Sequence, residues 1–225
     1  EILGIGGVAG NGQDELFAVL SGEQVSTKGS ISFKETNINK FTPNQRRKIG
    51  LLSAPEERLG HAAAPNMSLI ENILITSEQS QNLVSKGFID WKKSKAFAEK
   101  VINKFDVRTP GSQNTAGSLS GGNLQKFVIG REILQKPSVF IVNQPTWGVD
   151  AAAASSIRQA LLTLSENGAA ILVISQDLDE LLEISDQFAA LNEGALTKIK
   201  TTAKLSLEQI GLMMGGAKDL EANNA

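Results

Sequence analysis

Leu119-Ser120-Gly121-Gly122-Asn123-Leu124-Gln125-Lys126, then the apolar run Val139–Val142, then Asn143-Gln144-Pro145-Thr146-Trp147-Gly148-Val149-Asp150, is the stretch that decides the fold. Ser120 is a helix-capping residue type, and the pattern after it predicts a helix from about Gly122 to Gln135. Ser120 and the backbone of Gly121 and Gly122, at the start of that helix, are suited to holding a phosphate. Val139–Val142 is apolar throughout, as a strand covered on both faces requires.

Outward from this block the same alternation continues. Ser156 to Leu164 lies in a helix ending near Gly168, Ala170–Ser175 is a second buried strand, and a helix follows around Leu178 to Ile184. Phe188 to Ile199, broken at Asn192-Glu193-Gly194, reads as a hairpin, and Leu205 to Met214 as a terminal helix. Upstream, Ile2–Ile5 is a strand leading into a glycine-rich loop and a helix carrying Leu16, Val19 and Leu20 up to Gly22. Gly29–Phe33 reads as a short strand, and Ile49–Leu52 as a buried one before a turn at Pro55. From His61 to Ser118 the pattern turns helical with almost no strand signal. Asp90 caps a helix there whose expected apolar face is Trp91, Phe97, Val101, Ile102 and Phe105. Apolar strands alternating with helices predict an α/β fold: a largely parallel sheet with helices on both faces, peripheral antiparallel strands and a helical insertion.

The loop after the first strand, Gly7-Val-Ala-Gly10-Asn11-Gly12-Gln13-Asp14, has the glycine spacing of a phosphate-binding loop between strand and helix. Its two working side chains are replaced: Gln13 stands at the Lys position and Asp14 at the Ser/Thr position that ligates Mg²⁺. The exchange makes the loop more negative by about two charges, and one unit-charge pair at about 4 Å is worth about 4 kcal/mol at an effective dielectric near 20. Asp14 can offset part of that loss by binding Mg²⁺. A glycine-rich turn that binds nothing fits the segment equally well. So does a dinucleotide fingerprint, Gly4-Ile-Gly6-Gly7-Val-Ala9, with Glu23 or Glu35 as the ribose ligand.

Taken together, Leu-Ser-Gly-Gly at 119–122, Pro-Thr-x-Gly-x-Asp at 145–150 and Ser175-Gln176-Asp177 resemble the ATP-binding cassette family, the ATPase domains of ABC transporters. The resemblance runs over essentially the whole chain. It implies an ATPase core from residues 1–58 and 119–214, a helical subdomain at 59–118 and a disordered tail at 215–225. It also implies that the first strands of the domain, with their adenine-stacking aromatic, lie upstream of Glu1; the missing initial Met reads as a piece of a longer polypeptide.

Position by position, the resemblance puts Gly7, Gly10, Asn11, Gly12, Gln13 and Asp14 in the nucleotide loop and Glu56 near the glutamine that senses Mg²⁺ and the transmembrane partner. Asn143 stands where the family has its magnesium-ligating Asp, Gln144 where it has the catalytic Glu, and Gln176 where it has the switch His. Asp150 fits the interdomain loop aspartate, and Leu119, Ser120, Gly121, Gly122 and Asn123 form the signature.

These replacements disable one site. A carboxamide has no useful basicity, so Gln144 is no general base; Asn143 is a poorer magnesium ligand than a carboxylate. Gln13 brings no charge to a reaction that runs on positioning and electrostatics. The signature is intact. In this family two ATPase domains pair head to tail, each ATP lying between one domain's loop and the other's signature. The resemblance therefore implies a domain degenerate at its own site that completes its partner's.

The implied cofactors are ATP and Mg²⁺, bound mainly at the partner-completed site. The implied partners are an N-terminal ATPase domain of the same polypeptide or an equivalent subunit, transmembrane permease subunits and, indirectly, a solute-binding protein. The implied place is peripheral, on the cytoplasmic face of the membrane. Gly-Val-Ala-Gly-Asn-Gly-Gln, Gln-Pro-Thr and Asp-Leu-Asp-Glu-Leu resemble the C-terminal domain of tandem ATP-binding proteins from simple-sugar and nucleoside importers, with Trp147 departing from the usual Arg.

Composition narrows the alternatives. The 225 residues include no Cys, no Tyr and a single His, which excludes disulfides, thiol catalysis and multi-His metal centres. Net charge −2 gives no electrostatic reason for a nucleic-acid partner, which argues against a translation-associated cassette protein. A DNA-repair cassette would need a long heptad insertion between loop and signature. A dinucleotide-dependent oxidoreductase leaves the Ser-Gly-Gly and Gln-Pro-Thr blocks without a role. His61, in a Gly/Ala/Pro-rich loop, reads as a surface residue, and Lys92, Lys93 and Lys95 as a solvated helix face.

Overall fold

The computed structural model describes residues 1–216. Strand β1 (Ile2–Gly6) leads through the glycine loop into helix α1 (Gln13–Ser21), which Gly22 terminates in the left-handed conformation that glycine adopts without Cβ strain. Strands β2 (Ser32–Phe33) and β3 (Thr36–Asn37) pair in a small hairpin apart from the main sheet, so the strand expected over Gly29–Phe33 is confined to its last two residues. Helix α2 (Pro43–Lys48) starts on a Thr42/Gln45 capping box with Pro43 in its first turn. Strand β4 (Leu51–Ala54) begins two residues later than the apolar run predicts. Ile49 is spent on the C-cap of α2, and Gly50 turns the chain at φ +89°.

Helix α3 (Leu69–Ser77), with a Ser68/Glu71 capping box, and helix α4 (Trp91–Lys104), capped by Asp90 through Lys93 N–H, lie away from the sheet and pack on each other. Between them strands β5 (Val84–Ser85) and β6 (Phe88–Ile89) form a tight hairpin where only helix was expected. Two-residue strands leave no periodic signal to read. Phe97 and Val101 of α4 and Phe105 at its C-cap are buried as expected, but Trp91 is exposed: it is the first residue of the helix, where the chain has not yet met the core.

A 3-10 turn (Ala116–Ser118) precedes α5 (Gly121–Ile133), and β7 (Val139–Asn143), α6 (Ala151–Glu166), β8 (Ala170–Ser175) and α7 (Leu178–Ile184) follow. Strands β9 (Gln187–Asn192), β10 (Ala195–Leu196) and β11 (Lys200–Thr201), with helix α8 (Leu207–Met214) on its Ser206 cap, complete the described fold. Glu193 and Gly194 both have positive φ, the two-residue turn of the expected hairpin. Of the tail expected from 215, Gly215 and Gly216 form a turn after α8, and the remainder lies outside the described residues.

The main sheet runs β10-β9-β1-β8-β7-β4, with β11 also on β9; β4, β7, β8, β1 and β9 are mutually parallel. Its side chains alternate between two apolar clusters. Leu52, Phe140, Val142, Ile171 and Val173 face the cluster holding Leu124, Phe127 and Ile157, and Leu51, Ile141 and Ile174 face the one holding Phe17 and Ile38. This topology overturns the dinucleotide reading. In a doubly wound dinucleotide fold β1 pairs with the strand after its own helix, whereas here β1 sits between β8 and β9 and β4 lies at the far edge. Glu23 and Glu35 are not gathered as ribose ligands: Glu23 pairs with His61, and Glu35 sits in the exposed β2–β3 turn.

Candidate functional site

The parallel register fixes where the site stands. Gly6 pairs with Ser175, Asn143 with Ile174 and Ala54 with Val142, so β1, β7, β8 and β4 all end at one edge. The loops leaving that edge bring the glycine loop, Glu56, Asn143–Gln144 and Gln176 together, at the carboxyl ends where open α/β sheets bind ligands.

The glycine loop is filled from within. Gln13 is buried, and its carboxamide turns back into the loop: Oε1 accepts from Asn11 N–H at 3.0 Å and Nε2 donates to Val8 C=O at 2.9 Å. A Cβ on Gly7 would stand 2.6 Å from Gln13 Nε2 and 2.6 Å from Leu191 C=O, so the glycine is what lets the amide enter. Asn11 ties the loop to the β9–β10 turn. Its Oδ1 accepts from Glu193 N–H and its C=O from Gly194 N–H, both at 2.9 Å. Gly12, at φ +106°, leads into α1, whose first turn carries Asp14 and Glu15, two carboxylates on the positive end of the helix dipole.

Asn143, buried at the end of β7, donates through Nδ2 to Asp14 Oδ1 at 3.2 Å, while its Oδ1 is buried without a partner. Gln144 is also buried and adopts φ +51°, a strained conformation for a residue with a side chain. Its N–H donates to Ile174 C=O at 2.8 Å, and its Oε1 accepts from Gln176 N–H at 3.3 Å, beneath the exposed Gln176 side chain. Ser175 Oγ donates to Glu180 Oε2 at 2.8 Å; burial raises the Glu180 pKa, against the hydrogen bonds from Thr146 and Ser175.

In front of these residues a cleft of about 940 Å³ is lined by Asp14, Glu56, Arg58, His61, Asn143 and Trp147, among others. Burial and then the charge of Asp14 raise the Glu56 pKa, and Arg58 opposes them. His61, as expected, is a surface residue; it pairs with Glu23 at 3.1 Å and lies edge-on to Phe17.

Residues 119–123 differ from the glycine loop in charge and exposure. Ser120 is the N-cap of α5 by position but makes no side-chain cap bond; its Oγ instead accepts from Asn123 Nδ2 at 2.9 Å, and Asn123 Oδ1 accepts from Arg108 N–H. The first turn of α5 has no acidic residue, and Ser120 and Gly121 are exposed. Gly122 faces Asp150, the N-cap of α6, which accepts from Ala153 N–H at 2.9 Å. The backbone hydrogen bonds of that cap hold the Asp150 pKa below the usual range. Behind the signature, Arg131 and Glu132 are buried. Arg47 pairs with Glu132 at 2.6 Å, and Arg131 donates to Asn72 C=O and Ala62 C=O. Burial would raise the Glu132 pKa, but the Arg47 and Arg131 guanidiniums outweigh it and hold it low.

Sequence reasoning passed over three residues of this region. Arg58 reaches Gly121 and donates to Trp147 C=O, the Glu193 N–H holds the glycine loop, and Glu180 bonds Ser175, next to Gln176. Only an arginine beside two glutamates in Pro55-Glu56-Glu57-Arg58 hinted at the first; the others act across contacts that no local pattern carries.

Residues 1–147 match the family model described as ABC transporter. The chain is 35% identical over 99% of its length to the glucose import ATP-binding protein TsgD13 of Haloferax volcanii, covering 41% of that protein. It is 35% identical over 96% of its length to the nucleoside import ATP-binding protein NupA of Lactococcus lactis, covering 43%. The guanosine import ATP-binding protein NupO of Bacillus subtilis is 33% identical over the whole chain, 44% of that protein. The chain thus spans less than half the length of these curated relatives. Among solved structures, the ADP- and phosphate-bound dimer of the ATP-binding cassette MJ0796 superposes with a TM-score of 0.74 over 90% of this chain and 85% of that one, at 17% identity, a likeness of fold.

Proposed function

Because the chain belongs to the ABC transporter family of ATP-binding proteins, a family that binds ATP and Mg²⁺, we propose that it is an importer ATPase domain whose own nucleotide site is degenerate and whose signature completes a partner's site. The observation that carries this reading is the Gln13 carboxamide occupying its own loop. It holds the Asn11 N–H and the Val8 C=O that shape the phosphate cradle, so the residues present do not fit a triphosphate. Asn143, Gln144 and Gln176 stand at the positions where the family keeps its acidic and basic catalytic groups, and none of the three can ionise near neutral pH.

The other half of the reading rests on α5. Ser120, Gly121 and Gly122 present uncapped N–H groups and a free hydroxyl proton at an exposed helix N-terminus, suited to the terminal phosphate of a nucleotide held by a facing domain. That facing domain is a second ATPase domain of the same polypeptide or a separate subunit, opposed head to tail. Residues 59–118, bearing α3 and α4, serve as the helical subdomain against transmembrane permease subunits, with Glu56 as the sensor between them. The place is peripheral on the inner membrane face; among the described residues no helix is long and apolar enough to cross a bilayer. The names of the relatives point to simple sugars or nucleosides as the imported solute, delivered by a solute-binding protein.

The test is ATP turnover of this chain alone and of the full polypeptide in its assembly, with and without Ser120→Arg. The expected result is negligible turnover for the chain alone and a loss of about 100-fold in the assembly on Ser120→Arg, the scale of removing a phosphate-aimed donor. Brisk hydrolysis by the chain alone would overturn the first half, and an unaffected Ser120→Arg assembly the second.

A further inference from the structure

Arg58 occupies an unfavourable place if no anion beyond the Glu56 carboxylate ever comes near it. Its guanidinium lies against the N-terminus of α5: a Cβ on Gly121 would stand 2.7 Å from Nη1, and one on Gly148 3.2 Å from Nη2. Nη2 donates to Trp147 C=O, and Nε is buried without a hydrogen-bond partner. Among the described residues no carboxylate forms an ion pair with it, although Glu56 and Glu57 are neighbours in sequence. A cation at the positive end of a thirteen-residue helix, with no acid in the first turn and no side-chain cap, is repelled by the helix dipole. Burial lowers its pKa, with Glu56 the opposing influence. Three sources of positive potential therefore converge on one small exposed surface: the uncapped N–H groups, the Ser120 hydroxyl proton and the Arg58 guanidinium.

We infer that Arg58 is a phosphate ligand that this domain adds to its signature surface, aimed at the terminal phosphate of a nucleoside triphosphate bound by the facing domain. The inference rests on the signature reading above and adds to it a charged group that the Leu-Ser-Gly-Gly motif lacks. The guanidinium is held by Trp147 C=O rather than by a carboxylate, so its charge stays available for a phosphate oxygen, which it meets with planar paired donors. The loop carrying Glu56 leads straight into Arg58, so a shift at Glu56 would move the arginine relative to the phosphate.

The experiment uses the full polypeptide in its assembly and compares ATP with ADP, titrated without Mg²⁺ so that hydrolysis is off. Ser120→Arg comes first, in a separate assay with Mg²⁺ present: unchanged ATP turnover there removes the signature reading itself. With that effect established, Arg58→Gln removes the charge and keeps a donor for Trp147 C=O. ATP affinity should fall about tenfold, the worth of one charge-assisted hydrogen bond, with ADP affinity changed less than about twofold. Arg58→Lys should recover most of the ATP preference. A ratio of ATP to ADP affinity that Arg58→Gln leaves unchanged, including an equal fall in both, would assign Arg58 to scaffolding and overturn the inference.

Discussion

Two glycine-rich turns in this chain each open a helix, and their surroundings are opposite in charge. At α1 the positive helix end is met by Asp14 and Glu15 in the first turn, and the loop is filled by the Gln13 amide and tied by Asn11 to the β9–β10 turn. At α5 the first turn has no carboxylate, Ser120 and Gly121 are exposed, and Arg58 lies alongside, in no ion pair among the described residues. A helix N-terminus attracts anions in either case; what differs is whether the helix's own first turn supplies the anion. Glycine spacing alone therefore does not identify a phosphate site. The residues that follow the glycines, and whether they close the cradle, decide it.

The scaffold behind the open turn should be the easiest place to break the contrast. Glu132→Ala strands the buried Arg131 and should destabilise the domain by about 3–5 kcal/mol, read by urea unfolding. A loss under 1 kcal/mol would mean that α5 is anchored otherwise. Next in size, Gly7→Ala drives a methyl into Gln13 Nε2 and Leu191 C=O and should cost about 1–3 kcal/mol. Gly111→Ala, with nothing within 4 Å and an unremarkable φ, is the matched control. If the two glycine variants melt alike, the glycine loop is not closed around Gln13.

Gln13→Ala, which empties the cradle, should cost about 1 kcal/mol for the two lost amide bonds. Gln13→Lys should at the same time give the chain measurably tighter ATP binding by calorimetry than the parent. Unchanged binding would show that Asp14 and Glu15 repel the nucleotide more than the amide excludes it.

The smallest expected effect is a pH slope. Burial raises the Glu180 pKa, so the folded state binds the extra proton in the window above the ordinary Glu value. Its contribution is fully present below the unfolded pKa and is lost as pH rises through the raised folded one. Relative to Glu180→Gln, the parent should therefore lose urea resistance as pH climbs from about 4 toward neutrality. Parallel profiles would mean that Ser175 and Thr146 compensate the burial.

Much of this molecule follows from its order of residues. Mainly apolar five- and six-residue runs at 2–6, 139–143 and 170–175 become central parallel strands, Asp90 and Ser120 mark helix starts, and Glu193-Gly194 makes a hairpin turn. These are local matters of period, capping and backbone freedom, settled within a few residues. The short strands β5 and β6 and the exposure of Trp91 escaped that logic, being too brief or too near an element end to leave a period.

The carboxamides Gln13, Asn143, Gln144 and Gln176 are equally plain in the sequence, because a side chain's type fixes the chemistry open to it. What Gln13 does instead was decided only by folding. An amide can point to solvent or into its own loop, and the choice depends on Leu191, Glu193 and Gly194 arriving from the far end of the chain. Arg58 is the same case: its partner Trp147 C=O lies in the loop after β7, and only the parallel stacking of β4 on β7 brings it to the signature. Residue type determines which interactions a side chain can make, and tertiary proximity selects among them.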